Sequence, residues 1–110
     1  MLIYKIFRAP EWAELQKNGE TAGAPIDLTD GYIHFSGADT VAKTAALYFA
    51  DAENLILVAV ESDGLSDLVW EESRGGALFP HLFRKLTMSD VSWHRPLLFV
   101  DGIHQFPADL

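Results

Sequence analysis

The chain has 110 residues, 49% of them hydrophobic, and 8 Lys and Arg against 16 Asp and Glu give a formal net charge of −8. That much apolar residue excludes a disordered chain, and the length suits a single compact domain over 1–110, which on folding removes roughly 60–70% of the unfolded chain's surface from water. Residues 1–55 and 56–110 each carry four basic and eight acidic groups, so there is no acidic tail or basic arm. The densest basic cluster is the pair Arg84-Lys85, and nucleic acid, which needs clustered Lys and Arg to release counterions, is disfavoured as a partner.

In chain order, Leu2 to Phe7 reads as a strand, with Lys5 as its main polar interruption. Pro10 suits the first turn of a helix over 10–18, Glu11 and Glu14 suit its positive end, and Gly19 suits its C-terminal cap. Residues 20–30, with Gly23, Pro25 and Thr29-Asp30-Gly31, read as loop. Gly31 to Phe35 is a second strand. Period-two alternation places Tyr32, His34 and Ser36 on one face, with Ile33 and Phe35 on the other. Ser36 with Asp39 has the spacing of a helix N-cap, and 38–50 follows as an alanine-rich helix.

Leu55 to Val60 is apolar on both faces, as in a central strand covered on two sides. Leu68-Val69-Trp70 is a short strand, followed by Glu71-Glu72 and the flexible Arg74-Gly75-Gly76. Phe79-Pro80-His81 runs extended, because the residue before proline avoids the helical region. Val91 to Val100 is a strand that Pro96 makes edge-like or bulged. The pattern is α+β, with two main helices around a split mixed or antiparallel sheet. Without cysteine the chain carries neither disulfides nor thiolate sites and suits a reducing compartment. Its N-terminus does not read as a signal peptide, and the run from Leu55 is too short to cross a bilayer, so a cytoplasmic location with no membrane partner is expected.

Chemistry has few candidates. His34 lies beside a helix start, where free N–H groups favour an anion; it reads equally as a half-buried histidine tied to a carbonyl. Ser36 has no elbow glycines and reads as a cap that can still touch a ligand. His81 follows a proline among aromatic residues. Nearby Arg74 could grip a phosphate, or be an ordinary surface arginine. Glu71 and Glu72 are adjacent carboxylates of which at most one faces a given pocket. His94 and His104 lack metal-ligand spacing, so no metal is expected.

Asp30-Gly31-Tyr32-Ile33-His34-Phe35-Ser36, Leu68-Val69-Trp70-Glu71 and Gly75-Gly76-Ala77-Leu78-Phe79-Pro80-His81-Leu82-Phe83 together resemble the bacterial family catalogued as domain of unknown function 952. That family is remotely similar to the ADP-ribosyltransferase-like superfamily. The resemblance implies a split-sheet fold with a cleft for NAD, in which His34 matches the superfamily's first-strand histidine and Glu71 belongs to the family's Trp-Glu element. His81 and Tyr48 are further candidates. NAD would lie over Tyr32, His34 and Ser36 and lose nicotinamide through an oxocarbenium-like state stabilised by a carboxylate such as Glu71. Two alternatives stand beside this enzyme: a non-catalytic binder of a nucleotide or other phosphorylated metabolite, and a structural module whose histidines are core residues.

Overall fold

Strand β1 (Leu2–Arg8) enters the middle of the molecule, and its alternation sorts the core. Ile3 and Phe7 join one apolar cluster, whereas Tyr4 and Ile6 join a second on the opposite face. The computed structural model describes residues 1–110, apart from the side chain of Arg74. After β1 come α1 (Ala9–Asn18), β2 (Glu20–Thr21), α2 (Pro25–Asp30), β3 (Ile33–His34), α3 (Val41–Tyr48) and β4 (Leu55–Glu61). Then follow β5 (Leu68–Glu72), β6 (Leu78–Leu82), β7 (Leu86–Thr87), β8 (Val91–Leu97), β9 (Phe99–Val100) and β10 (Ile103–His104).

The fold is α+β, and every strand pairing described is antiparallel, which removes the mixed-sheet alternative. One three-stranded sheet has the order β1-β4-β8 and another β3-β6-β5; β2 pairs β7, and β9 pairs β10. β4 is central, as its two apolar faces require. Leu55, Leu57 and Ala59 share a cluster with Val41 and Ala45 of α3, while Val58 and Val60 share one with Trp12 and Leu15 of α1. Pro96 sits in β8 at the edge of that sheet, where a missing N–H is tolerated. No described helix is long and apolar enough to cross a membrane.

Three local expectations are corrected. Residues 20–30 are not loop, because they hold β2 and α2; Pro25 opens α2, and Asp27 takes the backbone N–H of Ala24, which offsets its shortness. The described helices therefore number three rather than two. The third helix spans Val41–Tyr48 rather than 38–50, and its N-cap is Thr40, not Ser36. Ser36 is drawn off by β pairing: it exchanges backbone hydrogen bonds of 2.8 Å in both directions with Tyr4, and its Oγ lies 3.1 Å from Thr44 Oγ1. The Tyr4–Ser36 bridge is the joint between the two larger sheets.

Candidate functional site

Strand register brings the two imidazoles together. In the β3–β6 ladder His34 is paired with His81, and in the β6–β5 ladder Val69 stands opposite His81 and Glu71 opposite Phe79. Directly opposed residues share a face, and so do diagonal ones two positions on. His34, His81 and Glu71 therefore project from one side of the sheet, while Ile33, Phe35 and Leu82 enter the core on the other. The ring centroids of His34 and His81 are 5.4 Å apart. Both rings border a cavity of about 510 Å³.

Each imidazole is braced at Nδ1 by a carboxylate. His81 is buried, and its Nδ1 donates to Glu71 Oε1 at 2.8 Å, which in the neutral ring places the lone pair on Nε2. Among the described residues no hydrogen bond engages His81 Nε2, and His81 lines the cavity. His34 is more constrained. Its Nδ1 lies 2.6 Å from Asp27 Oδ1 and its Nε2 lies 3.0 Å from Asp30 Oδ2. A carboxylate only accepts, so the ring satisfies both contacts as an imidazolium and one of them as a neutral imidazole.

Asp27 is the wedge at the sheet junction. Beyond the Tyr4–Ser36 bridge β1 and β3 make no further pairing, which leaves the His34 N–H without a strand partner on that side. Asp27 Oδ1 accepts it at 3.1 Å together with the His34 ring, and Oδ2 accepts from Ala24 N–H at 2.8 Å and from Lys5 Nζ at 2.8 Å. Four donors thus saturate a carboxylate whose side chain is 0% exposed. Burial alone would raise its pKa, but the His34 hydrogen bond and the Lys5 charge outweigh that and hold it below the ordinary value. Burial lowers the Lys5 ammonium below its usual range, and Asp27 offsets this only in part. Gly23 makes room for the arrangement. It has φ +102°, and a Cβ there would fall 2.2 Å from Asp27 Oδ2. Left-handed strain plus that clash predict that Gly23→Ala loses about 2–4 kcal/mol, read from urea unfolding. Unchanged stability would mean that the carboxylate is not held where this geometry has it.

The other candidates divide. Ser36 and Tyr48 border the cavity, Ser36 buried beside Thr44 and Tyr48 at the rim, 64% exposed. Tyr32 stacks on both imidazoles, with centroids 4.6 Å from His34 and 4.2 Å from His81, but does not itself line the cavity. Glu71 also lies outside the lining and reaches it through His81. The side chain proposed for Arg74 lies outside the described residues. Among those described, no group of three or more His, Cys, Asp or Glu is placed to hold a metal ion. Sequence reasoning missed Asp27, Asp30 and Lys5. A signal existed: a lysine inside an apolar strand needs a buried counter-charge, and Pro25 with Asp27 two residues later has the form of a helix start.

The chain belongs to the family described as protein of unknown function (DUF952), whose profile matches residues 6–94. It is similar to the crystal structure of protein CC0527 from Caulobacter crescentus, with 45% identity over 96% of this chain and 94% of that one and a TM-score of 0.91. The solution NMR structure of CC0527 gives 45% identity over 94% of this chain and 91% of that one, with a TM-score of 0.85. No curated protein matches the sequence.

Proposed function

We propose that the cleft binds a nucleotide, with NAD the first candidate, and that His81, oriented by Glu71, acts there as an acid–base group. The observation that carries this reading is the pair of imidazoles side by side at one cavity, each anchored through Nδ1 by its own carboxylate. Such bracing fixes ring orientation and leaves His81 Nε2 for a ligand. The volume falls within the range of roughly 300–1,000 Å³ usual for small-molecule sites. Tyr4 and Phe49 border the cavity with aromatic surface suited to a planar ring, and Ser36 sets a hydroxyl at its wall. The absence of cysteine suits action in the cytosol.

The resemblance of the sequence motifs implies the reaction of ADP-ribosyltransferases. The C1′–N bond of NAD breaks with its electron pair leaving on nicotinamide. The oxygen of water or of an acceptor hydroxyl bonds to C1′, and its proton passes to His81 Nε2. A second reading, binding without turnover, is favoured by one observation: Glu71 is committed to His81, which leaves Asp30 as the carboxylate that borders the cavity. Calorimetry with NAD and ADP-ribose, run beside chromatographic detection of nicotinamide, separates the two. Binding with release of nicotinamide is the expected result. Binding without release retains the binder and removes the transferase; if neither ligand binds, the nucleotide reading fails.

A further inference from the structure

Among the described residues, the lysine and arginine side chains that border the cavity are Lys5 and Arg8, and Lys5 is already committed. Lys5 is neutralised by Asp27. Arg8, at the end of β1, has no carboxylate within salt-bridge distance among the described residues. Its guanidinium instead lies over the Phe49 ring, 4.7 Å from the centroid. Arg84 is paired with Asp90 and Lys85 with Glu20, so free acidic partners are not scarce on a chain of net charge −8. An arginine placed over an aromatic ring at a cleft, with no carboxylate partner among the described residues, can turn its donors to an anion.

We infer that Arg8 is the anion anchor of this cleft, and that the ligand class is a nucleoside 5′-phosphate whose phosphate sits on Arg8 with its sugar toward the imidazoles. The inference rests on the nucleotide reading above and adds to it where the charge goes. The Tyr4–Ser36 bridge is antiparallel, so Arg8, four residues after Tyr4, and His34, two residues before Ser36, leave it in the same direction along separate strands. At the rise of an extended chain, about 3.3 Å per residue, His34 lies about 7 Å from the bridge and Arg8 about 13 Å. The cavity between these arms thus has imidazoles nearer its apex and a guanidinium nearer its mouth. A planar fork grips two oxygens of one phosphate, and the Phe49 contact limits the rotamer freedom lost on binding.

Matched pairs of probes isolate the phosphate: nicotinamide mononucleotide against nicotinamide riboside, and adenosine 5′-monophosphate against adenosine, each titrated calorimetrically. The wild-type chain is expected to prefer the phosphorylated member of a pair by about tenfold or more. Arg8→Gln should erase that preference while leaving nucleoside affinity unchanged, and Arg8→Lys should keep part of it. Arg8 is exposed, and equal thermal midpoints for the three proteins establish that the fold is intact. A wild-type preference that survives Arg8→Gln, or no preference in the wild type, overturns the assignment of Arg8 while nucleoside binding still supports the cleft. If no probe of either kind binds, the nucleotide reading itself fails and the anchor fails with it.

Discussion

Asp27→Ala is expected to destabilise the fold by about 3–5 kcal/mol, a fall in thermal midpoint of about 10–20 °C for a domain of this size. The variant leaves the Lys5 ammonium buried, at 7% exposure, without a counter-charge, and strips the acceptor from the N–H groups of His34 and Ala24. Removing one member of a buried pair is far more damaging than the pair's net worth, because the remaining charge is stranded. Asp30→Ala is the matched control. That carboxylate is 37% exposed, and its loss is expected to stay within about 1 kcal/mol. Equal losses for the two variants would contradict the wedge role.

The same carboxylate sets a pH dependence. Its folded pKa lies below the ordinary 3.8. The unfolded chain therefore takes up that proton first as pH falls, so the stability Asp27 contributes is fully present above about pH 4 and is lost as pH drops through the folded value. The gap between wild type and Asp27→Ala should accordingly narrow in acid. Lys5 acts in the opposite sense. Its folded pKa is lowered from 10.5, so the folded state sheds the proton first on the alkaline side, and the penalty of burying the ammonium is relieved as pH rises toward 10.5. A wild-type-minus-variant gap that stays constant from pH 7 to pH 2.5 would show that Asp27 carries no depressed carboxyl.

His81→Gln is expected to lower nicotinamide release from NAD by about 10²–10⁴-fold, the usual worth of a positioned proton-transfer group. Glutamine keeps a side-chain amide within reach of Glu71 and fills much of the same volume under Tyr32, so the fold should survive; far-ultraviolet circular dichroism and a melt verify this. Glu71→Gln should lose less, because an amide oxygen still accepts from Nδ1 but no longer stabilises an imidazolium. Release that proceeds at the wild-type rate in His81→Gln takes the imidazole out of the chemistry, and leaves Asp30, at the cavity wall, as the group to replace next.

The sidedness of Tyr32, His34 and Ser36 follows from a two-residue period, and the aromatic contact of Tyr32 with His34 realises it. The central strand at 55–60 and the helix after Pro10 follow from local pattern as well, since burial on two faces and a proline at the first turn each leave a contiguous trace. Ser36 misled because its spacing to Asp39 imitates a cap, and strand pairing with Tyr4 outbid that local option. Residues 20–30 misled because six-residue helices carry too few turns to show a period.

Local backbone preference and the alternation of apolar side chains were enough to determine an α+β chain, its main strands and which face of 32–36 is polar. Only the tertiary structure decided that His34 stands opposite His81, that Glu71 orients the second ring, and that Asp27 joins β1, α2 and β3. Those contacts span 47, 10 and 22 positions along the chain, from 34 to 81, 71 to 81 and 5 to 27. Period and propensity act within a turn or a strand; a buried charge finds its partner, and a strand its register, only when the whole core closes around them.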